Sequence, residues 1–80
     1  MSPLVEVRFP QLSQAEPDKA GVVATWFVEE GETVGAGQLI AEVQMDKVSA
    51  EVSSPAGGVV HRVVAEQEPL HQGQVIATVG

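Results

Sequence analysis

The stretch Glu42-Val43-Gln44-Met45-Asp46-Lys47-Val48-Ser49-Ala50-Glu51-Val52 is close to a mirror image about Asp46-Lys47. Met45 faces Val48, Val43 faces Ala50, and Ala41 faces Val52, while Gln44 faces Ser49 and Glu42 faces Glu51. A two-residue hairpin turn at Asp46-Lys47 sends every apolar pair to one side of a sheet and every polar pair to the other. A slip of one residue would put Val43 and Val52 in water, so the pattern fixes the register. Asp-Lys is not the Asn-Gly or Asp-Gly pair that such turns prefer, because neither residue takes positive φ easily. The turn therefore reads as chosen for its lysine, one of only two lysines, Lys19 and Lys47, in the chain.

Around this hairpin lies an internal repeat. Gly21-Val22-Val23 returns as Gly58-Val59-Val60, 37 positions on, and Gly37-Gln38-Leu39-Ile40-Ala41 returns as Gly73-Gln74-Val75-Ile76-Ala77, 36 positions on. One residue is missing from the second copy, most simply opposite Gly31. The spacing predicts strands over 22–28, 33–34 and 39–44, then over 59–65, 69–70 and 75–79, with Glu-rich and Gly-Gln turns between them. A further half-buried strand runs from Leu4 to Phe9, with Val5, Val7 and Phe9 on one side. Pro10 ends it, and Gln11 to Ala20 has no sustained period and reads as a surface loop. No segment sustains the helical period. The Trp26-Phe27-Val28 run is read as core and sheet-edge packing. Two copies are too few for a solenoid and suggest two similar sheets packed about a pseudo-twofold axis. The expected fold is all-β, a flattened barrel or sandwich of two antiparallel sheets, in one domain over 1–80. Its halves fall at about 21–44 and 58–79, with the lysine hairpin at 42–52 between them. Val43, Ala50 and Val52 should face inward, and Val23, Ile40, Val60 and Ile76 should share the core.

Composition removes several functions. A net charge of −7 with four Lys and Arg residues is a poor surface for nucleic acid. No stretch approaches the roughly 20 apolar residues of a membrane span. The opening Met1-Ser2-Pro3-Leu4 has no basic region followed by an apolar run, so no leader is expected. There is no cysteine to staple so small a chain. His61 and His71 do not stand in a metal-ligand spacing, and no metal site is expected. Ser49, Ser53 and Ser54 lack a base or a nucleophile-elbow pattern. Gly31, Gly35 and Gly37 do not lead into a helix, which excludes a phosphate loop. No catalytic residue is assigned, and the isolated chain is not expected to be an enzyme.

Lys47 remains. The Asp-Lys tip within EVQMDKV, the flanking EV pairs, the SSPAGGVV passage into the second half and the paired GxxVxxGQ-like turns together resemble a lipoyl domain. The last motif is complete in Gly31-Glu32-Thr33-Val34-Gly35-Ala36-Gly37-Gln38 and partial in the second copy. Such domains are the swinging-arm modules of the acyltransferase components of 2-oxo acid dehydrogenase complexes, and the likeness covers Leu4 to Val79. The resemblance implies lipoic acid in amide linkage to Lys47, with Asp46 and Val48 as flanking recognition residues for a lipoylating enzyme. It also implies three partners: a thiamine diphosphate-dependent 2-oxo acid decarboxylase, the acyltransferase core with coenzyme A, and a dihydrolipoamide dehydrogenase. In relatives the loop after the first strand lies beside the hairpin. Gln11, Leu12, Ser13, Gln14, Ala15 and Glu16, with Glu42 and Glu51, are therefore expected to set which decarboxylase accepts the domain.

The sequence departs from lipoyl relatives in two places. The loop reads Gln11-Leu12-Ser13-Gln14-Ala15-Glu16 where many of them carry Gly-Glu-Gly, so the 2-oxo acid stays open. Met45, two before the lysine, replaces the acidic or threonine-type neighbours expected there. Biotinyl relatives flank their lysine on both sides with methionine, whereas the flanks here are Asp46 and Val48. A biotin carboxyl carrier domain and an unmodified interaction module on the same scaffold remain as alternatives. Lys19, also preceded by an aspartate, lies outside the symmetric hairpin and is set aside as an attachment site. The isolated domain is expected to be a monomer. The Met1 start points to a bacterial cytoplasm, with the mitochondrial matrix as the alternative.

Overall fold

The computed structural model describes residues 4–80, so the opening Met1-Ser2-Pro3, read above as lacking a leader pattern, lies outside it. The elements in order are β1 (Val5–Arg8), β2 (Ala20–Trp26), β3 (Thr33–Val34), β4 (Leu39–Met45), β5 (Val48–Ser53), β6 (Gly58–Arg62), β7 (Leu70–His71) and β8 (Val75–Val79). No helix long and apolar enough to cross a membrane is present among the described residues. The strands form two four-stranded antiparallel sheets, β1-β8-β6-β3 and β5-β4-β2-β7. The molecule is elongated, 39 × 20 × 19 Å.

The two sheet orders are the same once repeat copies are exchanged: β5 for β1, β4 for β8, β2 for β6 and β7 for β3. The pseudo-twofold expected from the repeat is therefore present, but a copy is not a sheet. The short strand of each copy crosses over, β3 pairing with β6 and β7 with β2. Hydrogen bonds repeat the exchange. Trp26 N–H donates to the Glu66 carboxylate and Arg62 N–H to that of Glu30. Gly31 N–H donates to Val60 O and Gln67 N–H to Val23 O.

These bonds correct the position of the missing residue. Gly31 matches Gln67, 36 positions on, and both have positive φ, 84° and 66°. The extra residue lies instead in β2, where the register to β4 shifts between Val23 and Thr25. Ala24 is a bulge with no counterpart in β6. A bulge takes up one residue without disturbing the flanking ladder, which is why the repeat survives on both sides of it.

Of the barrel or sandwich expected, the two antiparallel sheets form the sandwich and do not close into a barrel; the two-residue strands β3 and β7 lie at their edges. One further expectation changes. The central strands stop early, at Trp26 and Arg62. Beyond them Phe27 and Val63 each donate one bond, to Ile40 O and Ile76 O, as the chain leaves the sheet. Phe27 is consequently half-exposed beside buried Trp26 and Val28.

The core agrees with the pattern. Val23, Ile40, Val43, Val60 and Ile76 are fully buried, Val52 is buried, and Ala50 is half-buried against them. Each buried Val or Ile contributes ~1.5–3 kcal/mol relative to exposure. Ser54 is the one buried polar residue among those described. It occupies the place that Phe9 takes about the pseudo-axis, and its hydroxyl donates to Ala56 O at 2.6 Å.

Candidate functional site: the Lys47 hairpin and its loop

The hairpin pairs as its mirror pattern requires: Met45 with Val48, Gln44 with Ser49, Val43 with Ala50, Glu42 with Glu51 and Ala41 with Val52. Asp46 and Lys47 form the two-residue turn. Asp46 alone carries positive φ, 55°, and Lys47 does not. The strain of the turn therefore falls on its first central residue. Aspartate tolerates that region better than most residues with a Cβ, so the aspartate bears the cost and the lysine keeps an ordinary backbone.

Lys47 is exposed, and no hydrogen bond or ion pair involves its ammonium among the described residues. Lys19 differs. Its Nζ lies 3.2 Å from Asp46 Oδ2 and 3.4 Å from Glu16 Oε2. Those bonds, that to Asp46 foremost, raise its pKa above the usual 10.5. Lys19, set aside on sequence, is thus the residue that ties the loop to the tip. Its presence as the second lysine of an acidic chain was the available signal.

The loop is also held from the other side. Gln72 accepts from Ser13 N–H at 2.7 Å and donates to Glu16 O and Pro17 O at 3.1 and 3.3 Å. Leu12 packs against the core, and Gln11, Gln14 and Ala15 are exposed. Between loop and tip lies a groove of about 200 Å³ lined by Leu12, Ser13, Glu16, Lys19, Met45, Asp46 and Val48. Met45 forms a buried wall, whereas Val48, on the edge strand β5, is 50% exposed although the mirror pattern placed it inward. Glu42 and Glu51 are not brought to this groove. They oppose each other four residues down the hairpin, roughly 13 Å from Asp46 at the usual rise.

His61 and His71 are exposed, and no group of three or more metal-ligating side chains occurs among the described residues. His61 Nδ1 lies 2.8 Å from Glu30. This places it in an exposed surface pair that takes no part in lining the groove.

A family model described as biotin-requiring enzyme, the biotin/lipoyl family, matches residues 5–79. The chain belongs to this family. The resemblance drawn from the Asp-Lys tip and the repeat is thereby borne out. Among curated relatives of this biotin/lipoyl domain is a dihydrolipoyllysine-residue succinyltransferase component of the 2-oxoglutarate dehydrogenase complex, from Staphylococcus saprophyticus. It is 40% identical over 76 residues, 94% of this chain and 18% of the relative. A dihydrolipoyllysine-residue acetyltransferase component of the pyruvate dehydrogenase complex, from Zymomonas mobilis, is 35% identical over 91% of this chain and 17% of its own length. The domain thus spans less than a fifth of these relatives. The solved lipoyl domain of the 2-oxoglutarate dehydrogenase complex from Azotobacter vinelandii superposes with a TM-score of 0.75 at 28% identity, covering 95% of both chains.

Proposed function

We propose that this chain is a lipoyl carrier domain whose attachment residue is Lys47. The observation that carries the reading is the contrast between its lysines: Lys47 stands exposed at the turn, while Lys19 is held by Asp46 and Glu16. An attaching enzyme needs an amine it can reach, and amide formation at Lys47 breaks no ion pair seen in the fold. The relatives named for dihydrolipoyllysine, and the Asp46 and Val48 flanks in place of paired methionines, support lipoyl over biotin.

Lys47 would hold the lipoyl group through an amide on its Nζ, and the group would supply a reducible disulfide able to carry an acyl group as a thioester between a 2-oxo acid decarboxylase, an acyltransferase core with coenzyme A, and dihydrolipoamide dehydrogenase. The chain's own part is mechanical and electrostatic. The hairpin between β4 and β5 stiffens the base of the arm, and Asp46 absorbs the turn strain. Tethering replaces a diffusing substrate by one at high effective concentration. The acidic surface disfavours non-specific contact with other acidic chains and steers toward basic partner surfaces.

The test is coexpression with a lipoate-attaching enzyme, followed by intact mass and peptide mapping. The expected result is one lipoyl adduct, on Lys47. A biotin adduct, an adduct on Lys19, or none would overturn the reading. Exchanging Asp46 and Lys47 should sharply reduce attachment; because the exchange puts lysine at the positive-φ position and disturbs the Lys19 ion pair, circular dichroism should be used to check that the strands are retained. We further propose that residues 11 to 16 guide the decarboxylase, because Lys19 and Gln72 hold that loop beside the tip. A loop-swap variant should be lipoylated normally but acylated slowly at moderate salt, and an unchanged rate would remove this role.

A further inference from the structure

The groove beside Lys47 has features that presenting a lysine does not require. Its apolar walls are Leu12, Met45 and Val48, and its rim is Ser13, Glu16, Lys19 and Asp46. Val48 leaves half its surface in water at a position where the mirror pattern puts an inward-facing side chain. Two of the lining residues, Asp46 and Val48, are the chain neighbours of Lys47. The loop wall is held in place by Lys19 on one side and by Gln72 on the other.

We propose that this groove is a docking site for the free end of the arm carried by Lys47, so that the arm has a resting position against its own domain. The proposal rests on lipoylation of Lys47. Size, charge and tethering fit. A volume of 200 Å³ corresponds to roughly seven waters at ~30 Å³ each, enough for a five-membered ring and a few methylenes. It falls below the ~300–1,000 Å³ of drug-sized ligand pockets. The rim carries two carboxylates, Glu16 and Asp46, against one ammonium, Lys19, already paired with both, so its net charge disfavours a diffusing carboxylate such as free lipoate. A group joined through an amide has lost that charge and is not repelled. The occupant begins next to the walls, so the loss of translational freedom that weakens binding of a small free ligand is already met by the covalent bond. Contact with Leu12, Met45 and Val48 removes apolar surface from water, and Val48 contributes the exposed share.

The consequence is an arm divided between a docked and a free population rather than one moving freely. Docking lowers the accessible fraction in solution, and a partner that displaces the loop releases the arm.

The experiment uses the lipoylated protein, with the adduct verified by mass, and methyl-labelled Leu, Met and Val. Lipoylation should shift the Leu12, Met45 and Val48 methyl resonances and produce nuclear Overhauser contacts from them to the dithiolane methylenes. Val63, exposed and outside the groove's lining, should not move. After reduction, the arm should react with iodoacetamide more slowly than free reduced lipoamide, by about twofold if half the population is docked. Val48→Ser, at an exposed site, should remove most of the Leu12 and Met45 shifts and bring the alkylation rate toward the free value. Leu12→Ala should act in the same direction. A verified adduct with no contacts to these methyls and the free alkylation rate would overturn the docking site and leave the carrier function standing. Absence of any adduct would overturn both.

Discussion

Replacing Gly21 by alanine tests how the hairpin is joined to the body. Gly21 lies on β2 beside the hairpin end of β4, where Val22 pairs with Gln44. A Cβ built there would overlap Cζ of the Phe9 ring and come within 2.8 Å of Gln44 O. Neither neighbour yields easily: the Phe9 ring is 1% exposed, and the Gln44 oxygen belongs to a strand backbone two residues from the turn. Overpacking of this kind costs about 1–3 kcal/mol. A chain of 80 residues has about 4–12 kcal/mol of total stability. A cost of about 2 kcal/mol would lower Tm by about 8–16 °C at this size. Urea unfolding followed by Trp26 fluorescence should show the midpoint falling with an unchanged slope, the mark of a stability change alone. Gly35→Ala is the control, because a Cβ there meets nothing within 4 Å and its φ is not positive. It should be neutral or stabilising by ~0.4–1 kcal/mol. If Gly21→Ala is as stable as wild type within ~0.5 kcal/mol, the ordinary range for surface changes, the close approach does not constrain the strand and the reasoning fails.

Three other outcomes are expected. Ile76→Ala, at a fully buried site, should lose ~2–5 kcal/mol in the same unfolding assay. Glu42 and Glu51 stand directly opposite with like charge, so Glu51→Lys should stabilise by ~0.2–1 kcal/mol. Added salt should narrow that gain, and a variant less stable than wild type at low salt would contradict it. The Glu30 carboxyl is held below its usual 4.5, chiefly by its hydrogen bond with His61 and then by the Arg62 N–H. A lowered folded pKa gives stability that is present above about pH 4.5 and lost as pH falls through the folded value. The difference between wild type and Glu30→Ala should therefore shrink as pH falls below that value. A difference that grows with acid would reverse the assignment.

Much of the hairpin could be read directly, because side chains on a strand alternate with period two and a mirrored apolar pattern admits one register. The pairing of Met45 with Val48 through Ala41 with Val52 follows from residue order alone. The pseudo-twofold was legible for a related reason: equal sequences form equal strands, so the repeat had to appear as two equivalent arrangements. Gly21 and Gly58 were legible only as repeat anchors. Their physical role emerged with the neighbours, since Gly58 has φ of +151° and lies against the Gly80 backbone as Gly21 lies against Gln44.

Other features depended on contacts between distant parts of the chain, which local pattern does not encode. The Ala24 bulge could not be told from a deletion at Gly31, because both restore the repeat and only the ladder to β4 distinguishes them. The exchange of β3 and β7 between sheets is invisible in two-residue strands whose partners lie elsewhere in sequence. Val48 follows the inward pattern yet stands half in water, because β5 is an edge strand. Lys19 and Gln72 become part of the tip only through bonds spanning 27 residues to Asp46 and 56 to Glu16. Periodicity and the Asp-Lys tip determined where the lysine stands; folding across those distances decided what stands beside it.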